Sequence, residues 1–104
     1  MIVTEKISEI VNKIAFGYKP DKIILFGSYA VGNADENSDL DLLVIKDTDL
    51  PRPQRAMLVR KMLYGAMVPI DLIVYTPKEI EDAKDNEFSF VYKVMHTGKT
   101  LYER

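Results

Sequence analysis

Two neighbouring stretches decide the fold of this chain: KIILFGSYAVG at residues 22–32 and SDLDLLVI at residues 38–45. The first is an apolar run that ends at Gly27 and Ser28, and the second is an apolar run that two aspartates open. Short apolar runs bounded by polar turns are typical of strands buried on both faces. We predict strands over 22–26 and about 39–45, with one helical turn over 28–31 that Gly32 closes.

The two aspartates of the second stretch are expected to lie side by side. Alternate residues of a strand point the same way, so the Cβ atoms of Asp39 and Asp41 should lie roughly 6–7 Å apart on one face. Repulsion between two such carboxylates costs stability unless a cation offsets it. We favour a divalent metal site here, although an acidic turn that only keeps the strand entrance solvated is the alternative.

The spacing of apolar residues predicts the remaining helices and the third strand. Apolar residues at helical spacing predict an amphipathic helix over 4–16, with Thr4 as its N-cap and Gly17 at its end. Further helices are predicted over 53–65, 77–83 and 87–97, the last with Phe88, Val91, Tyr92 and Met95 on one face. A short extension follows the last helix. Residues 69–75 are predicted to form the third strand.

The order strand, helix, strand over residues 39–75 has a topological consequence. A right-handed crossover makes the second and third strands parallel, which brings Asp71 to the same end of the sheet as Asp41. Three acids would then converge at one sheet end. A solvated strand end is the simpler interpretation of Asp71 taken alone. We interpret the architecture as a two-layer α/β (α+β) domain over 1–104, with a small mixed β-sheet and helices packed on it.

Gly27 and Ser28 suit a phosphate. Glycine lets the backbone approach a phosphate group, the serine hydroxyl can donate to it, and the following helical turn adds free N–H groups. The spacing matches neither a Walker A loop nor a dinucleotide-binding fingerprint. With the acids nearby, metal-assisted phosphoryl or nucleotidyl transfer is the leading hypothesis.

The composition and length of the chain exclude several classes of protein. The chain has 104 residues, a net charge of −2 and no cysteine, which excludes disulfides and thiolate zinc sites. The charge gives no general attraction to nucleic acid, and no apolar run is long enough for a membrane span. A cytoplasmic protein is expected. The length leaves little room for a separate acceptor lobe.

Together, the segments GSYAVG at 27–32, SDLDLLV at 38–44 and IDLI at 70–73 resemble the DNA polymerase β-like nucleotidyltransferase superfamily, specifically its minimal (MNT or MntA-like) members. The likeness covers nearly the whole chain. It implies transfer of NMP from an NTP, usually ATP, to a hydroxyl. By this resemblance, Gly27 and Ser28 bind the triphosphate, while Asp39, Asp41 and Asp71 bind two Mg²⁺ ions and Asp71 helps to activate the acceptor. Val31 departs from the family, in which arginine is common, and weaker contacts to triphosphate or partner would follow.

The resemblance also implies a partner. Many minimal members are antitoxins that bind, and in some cases adenylylate, an all-helical HEPN toxin. Alternatives are a non-catalytic antitoxin that occludes its toxin, and transfer to a small molecule. A homo- or hetero-oligomer stays open. We expect Arg52, Arg55, Arg60 and Lys61 on a solvated helix face, and His96 as a favourable residue at a helix C-terminus. Tyr75, Tyr92 and Tyr102 are expected in the core or at its rim.

Overall fold

Five helices and four strands make up the chain, and the computed structural model describes all residues 1–104. In chain order they are α1 (Thr4–Tyr18), β1 (Lys22–Phe26), α2 (Ser28–Val31), β2 (Leu40–Ile45), α3 (Arg52–Met62), β3 (Ile70–Tyr75), α4 (Pro77–Ala83), α5 (Phe90–Thr97) and β4 (Lys99–Glu103). None of the five helices combines the length and apolar character that crossing a membrane demands.

The four strands form one mixed sheet in the order β3-β2-β1-β4. β1 is antiparallel to both of its neighbours, whereas β2 and β3 are parallel and joined through α3. Parallel neighbours require a crossover connection, which α3 supplies. The predicted mixed sheet and the predicted parallel pair are both confirmed.

Helices cover both faces of this sheet. A cluster of 15 buried residues packs one face against α1 and α3, while a second cluster of six packs the other face against α4 and α5. The predicted two-layer arrangement is therefore wrong, and the molecule has three layers. The reason lies in β1 and β2, whose inward and outward positions are both apolar, so that each face needs a cover.

Gly17 shows a different role from the one predicted. α1 continues past it and ends at Tyr18, and the C-cap residue Lys19 adopts the left-handed conformation with φ 52°. A Cβ on Gly17 would lie 3.0 Å from the sulfur of Met62, so the glycine allows α1 and α3 to approach closely. The N-cap is Val3 rather than Thr4, and it makes no side-chain hydrogen bond.

The other helix boundaries also shift. α3 begins at Arg52 and ends at Met62, before the predicted limit of 65. α5 begins only at Phe90, because the Ser89 hydroxyl accepts a hydrogen bond from the Tyr92 N–H and caps the helix there. Phe88 thus precedes the helix and is 91% exposed instead of packing in the core. α4 begins with a capping box, in which the Thr76 hydroxyl accepts a hydrogen bond from the Glu79 N–H and the Glu79 carboxylate accepts one from the Thr76 N–H.

The predicted terminal extension is a strand. β4 pairs antiparallel with β1 and forms an outer edge of the sheet. Tyr102 packs against the larger core cluster, whereas four of the five residues of β4 are exposed. Pairing with β1 therefore makes this segment a strand.

Candidate active site

Two aspartates lie side by side on neighbouring strands. Asp41 of β2 is in direct register with Asp71 of β3 and, on its other side, with Phe26 of β1. Residues directly opposite one another across strands project from the same face of the sheet. The two carboxylates therefore share one face at one end of the sheet, as the crossover topology predicts.

Asp39 lies on the turn before this pair. It precedes Leu40, the first residue of β2, and is exposed. Its negative charge reaches Asp41, since it contributes to the raised pKa of that carboxyl group. The structure does not, however, gather three acidic or imidazole side chains into a ready metal-binding cluster. The structure thus places Asp41 and Asp71 side by side, whereas Asp39 lies just before β2 and is exposed.

Gly27 fits against the Asp41 carboxylate. Its backbone has φ 74° and ψ −154°, a conformation that is essentially restricted to glycine. A Cβ at this position would overlap the Oδ2 atom of Asp41. The close approach of backbone and carboxylate therefore depends on glycine, and it fixes the turn between β1 and α2 directly beside the acid pair.

Ser28 begins the predicted single turn of helix, α2, which Gly32 closes in the left-handed conformation with φ 85°. The N–H groups of Ala30 and Val31 both donate to the Gly27 carbonyl, at 3.0 and 3.2 Å. This tight turn holds the Ser28 hydroxyl one residue from Gly27. Val31 is 57% exposed at the other end of the turn.

The negative charges of the acid pair are not balanced by any nearby positive side chain. Burial raises the pKa of Asp41, and the charges of Asp71 and then Asp39 raise it further. None of these three aspartates takes part in any of the chain's eight ion pairs. Carboxylate oxygens are the donors that Mg²⁺ prefers, and an ion between them would relieve their repulsion. The residues present therefore fit a divalent cation.

An aromatic group lies on the same face of the sheet. The ring of Phe90, near the start of α5, contacts Phe26 edge-on at 5.2 Å between centroids and Tyr75 at 6.3 Å. Phe26 is the register partner of Asp41, so Phe90 helps to make the apolar boundary beside the acid pair. Sequence reasoning missed Phe90. The Ser89 cap was the signal that could have placed it at the start of the helix.

One of the basic residues predicted on a solvated face is buried. Arg55 is 7% exposed and pairs with Glu79 at 2.8 Å, while its guanidinium also donates to the Val74 and Leu50 carbonyls. The prediction for Arg55 is wrong, because its charge is satisfied inside the protein. Burial alone would raise the pKa of Glu79, but the Thr76 N–H and the Arg55 guanidinium outweigh it, and the pKa is lowered.

The remaining candidates lie away from the acid pair. Arg52 stacks on the Tyr75 ring at 4.3 Å. His96 has its Nδ1 2.8 Å from the Tyr92 carbonyl in the last turn of α5, in keeping with a residue that stabilises a helix end. Its ring also stacks on Tyr92, at 3.9 Å between centroids.

Comparison with known proteins places this geometry in a family. Residues 6–96 match the model of the nucleotidyltransferase domain family. The chain is also 39% identical over 98 residues to a Methanocaldococcus jannaschii protein named "Putative protein adenylyltransferase MJ0604", covering 92% of this chain and 94% of that protein. The chain belongs to the nucleotidyltransferase domain family and is an enzyme of that class.

Solved structures support the same fold. A crystal structure of a Sulfolobus solfataricus protein described as "a putative nucleotidyltransferase" aligns with a TM-score of 0.67 and 21% identity, covering 96% of this chain and 79% of that one. A toxin-antitoxin structure with AMP-PNP aligns with a TM-score of 0.65 and 27% identity, covering 93% and 73%. The MntA-HpeT toxin-antitoxin structure, in a mutant form, aligns with a TM-score of 0.64 and 25% identity, covering 99% and 75%. The predicted resemblance and the predicted fold class are confirmed.

Proposed function

We propose that this nucleotidyltransferase moves AMP from ATP to a hydroxyl group of a partner protein, the HEPN toxin of a toxin–antitoxin pair. The observation that carries the transfer chemistry is the in-register pair Asp41 and Asp71, with Gly27 against the Asp41 carboxylate. The name of the Methanocaldococcus jannaschii relative, a protein adenylyltransferase, supports a protein acceptor. Two structural neighbours are toxin–antitoxin proteins, which supports a toxin as that acceptor. A cytoplasmic location stays a prediction.

The chain's own residues divide the work of the reaction. Gly27 and Ser28 would hold the triphosphate at the turn before α2, and Asp39, Asp41 and Asp71 are the residues that would hold two Mg²⁺ ions. When bound, a divalent metal neutralises phosphate charge and lowers the pKa of a hydroxyl group. The acceptor oxygen bonds to the α-phosphorus, its proton passes to Asp71, and pyrophosphate leaves.

Substitution of Asp41 tests the chemistry. The Asp41→Asn variant removes one charge from the acid pair with almost no change in shape. Loss of groups that only support metal ligands already costs about 10–100-fold. We therefore expect a loss of roughly a hundredfold or more in Mg²⁺-dependent transfer of label from α-phosphate-labelled ATP to the co-purified partner.

Asp47→Asn is the matched control. Asp47 is exposed beyond the opposite end of β2, so its substitution removes the same charge and should leave transfer unchanged. Equal transfer by both variants and the wild type would show that the metal assignment is wrong.

The same pair of variants distinguishes modification from occlusion of the partner. The partner can be sought in the neighbouring reading frame as a small helical protein with an Arg-x(4–6)-His motif. If the toxin's ribonuclease activity is blocked by transfer, Asp41→Asn should restore it while Asp47→Asn does not. A toxin silenced equally by both variants would instead support binding without chemistry.

A further inference from the structure

The single-turn helix α2 is linked to the start of the chain through Tyr29. The Tyr29 hydroxyl accepts a hydrogen bond from the Ile2 N–H at 2.8 Å, which joins two residues 27 positions apart. The backbone hydrogen bonds at α2 are short-range by comparison, since residues 30–33 donate to the carbonyls of Gly27 and Ser28. The Tyr29 hydroxyl therefore connects α2 to a distant segment of the chain.

Ile2 and Tyr29 support α2 from the side of the sheet away from the acid pair. Both side chains pack against the larger core cluster, which includes Leu40 and Leu42 of β2. Asp41 lies between these two leucines in the strand and therefore points to the other face. The hydrogen bond between Tyr29 and Ile2 is thus a support for the candidate site and not a part of the acid pair.

The N-terminal segment also lies beside the two segments that lead to the acids. A groove of about 400 Å³ is lined by residues that include Ile2, Tyr29, Ser38 and Pro69. Ser38 comes one residue before an aspartate of the candidate site, and Pro69 comes two residues before another. Three parts of the site, namely α2 and the entrances to β2 and β3, therefore meet at the N-terminal segment.

The position of α2 depends on such contacts because the helix is short. It has four residues, and a helix of that length is not stable by itself. We propose that Tyr29 is a positioning residue for triphosphate binding, and that its hydrogen bond to Ile2 fixes the Gly27 backbone and the Ser28 hydroxyl where the phosphate groups bind. This inference rests on the proposed function, because it takes the turn at Gly27 and Ser28 as the triphosphate site.

Removal of the hydroxyl group alone tests the proposal. Tyr29→Phe keeps the aromatic ring and leaves the Ile2 N–H without its acceptor. The ligand is α,β-methylene-ATP with Mg²⁺, an ATP analogue that cannot transfer its AMP, and its binding is measured by calorimetry well below the melting temperature. We expect the dissociation constant to rise roughly three- to tenfold, the effect of one hydrogen bond. A tyrosine that only stabilised the fold would lower the melting temperature and leave this constant unchanged.

Two control variants separate ligand affinity from stability. Tyr64→Phe makes the same chemical change at a side chain that is 93% exposed, and it should bind the analogue as wild type does. Ile80→Val removes a methyl group from the second core cluster, beside a groove that Ile45 lines at the far end of β2. It should lower the melting temperature without changing the affinity. An equal loss of affinity in Ile80→Val and Tyr29→Phe would overturn the proposal, because affinity would then follow stability.

A double-mutant cycle tests the bond between the two residues. Ile2→Pro removes the N–H donor, whereas Ile2→Val keeps the donor and removes one methyl group. Ile2→Pro should weaken binding of the analogue about as much as Tyr29→Phe does, and Ile2→Val should not. The double variant of Ile2→Pro and Tyr29→Phe should bind no more weakly than the weaker single variant. Losses that multiply in the double variant would contradict the proposal, because the two residues would then act independently.

Ser28→Ala distinguishes failure of this inference from failure of the proposed function. It removes the hydroxyl group assigned to the triphosphate and should weaken binding of the analogue by about tenfold or more. If Ser28→Ala loses affinity and Tyr29→Phe does not, the positioning role is wrong and the triphosphate site stands. If neither variant loses affinity, the turn does not bind the triphosphate and both proposals fail.

Discussion

The backbone of Gly27 lies against the Asp41 carboxylate at the candidate site. The glycine is required for two separate reasons, its unusual backbone conformation and the space that the carboxylate occupies. Gly32, five residues later, shares the positive φ but has open space where a Cβ would lie. The two glycines therefore allow conformation and contact to be separated experimentally.

We expect Gly27→Ala to lower stability by about 1–3 kcal/mol, the usual cost of a residue held in a sparsely populated backbone region. It should also abolish nucleotide transfer, because the new methyl group displaces the Asp41 carboxylate. Gly32→Ala should cost about 1–2 kcal/mol and keep transfer. Urea unfolding and the labelled-ATP assay measure the two effects. Full activity in Gly27→Ala would show that the carboxylate position is not critical.

The charge on Asp41 is expected to cost stability in the absence of metal. Its folded-state pKa is raised, so the folded protein binds a proton at Asp41 more readily than the unfolded chain does. The cost is therefore present at neutral pH and is relieved as the pH falls through the raised pKa. We expect Asp41→Asn to melt at a higher temperature than wild type at pH 7 with EDTA, and this advantage should shrink in acid.

Asp47→Asn controls for the change in net charge and should leave the melting temperature nearly unchanged. Added Mg²⁺ should raise the melting temperature of wild type more than that of Asp41→Asn, because binding to the folded state stabilises it. If Asp41→Asn melts below wild type in EDTA, the repulsion inferred among the aspartates is not the dominant interaction of that carboxyl group.

At the level of elements, an ion pair between the buried Arg55 and the partly exposed Glu79 connects α3 to α4. Arg55 reaches from α3 to Glu79 and to the end of β3, and Glu79 also completes the capping box of α4. Arg52 contacts the same carboxylate at 3.4 Å, but its side chain is 56% exposed. The two arginines therefore provide a buried and an exposed contact to one acid.

Removal of the buried arginine should be much more costly. We expect Arg55→Met to lower the free energy of unfolding by about 3 kcal/mol, because it leaves the buried Val74 carbonyl without its donor and removes the closer of the two guanidinium groups that pair with Glu79. Arg52→Met should cost about 1 kcal/mol or less, since exposed ion pairs contribute little. Denaturant titration of both variants measures the difference. Equal losses would mean that the Arg55 pair contributes no more than a surface contact.

Some elements were predictable from local sequence and others were not. β1 and α2 were predicted with their observed limits and β2 and β3 to within one residue, because apolar runs and glycines define them locally. β4 could not be predicted, since its exposed residues lack an alternating pattern and only β1 makes it a strand. Arg55 was misplaced because its partner Glu79 lies 24 residues away in sequence.

At the scale of the whole molecule, the candidate site was more predictable than the layers. Asp41 and Asp71 follow from two strands and one crossover, a short chain of inference. Covering of the second face by α4 and α5 depends on contacts between residues far apart in sequence, including Ile24 with Val91 and Val94 in one cluster. The close approach of Gly27 to Asp41 likewise exists only once β1 and β2 have paired.

The register of β2 and β3 determines where in this protein an insertion can be tolerated. A residue inserted in the connection through α3 leaves the pairing of the two strands untouched. One inserted ahead of Asp71 within β3 would turn that carboxylate to the opposite face. The connecting segments are thus free to change in length, while the sheet fixes the spacing of the acids.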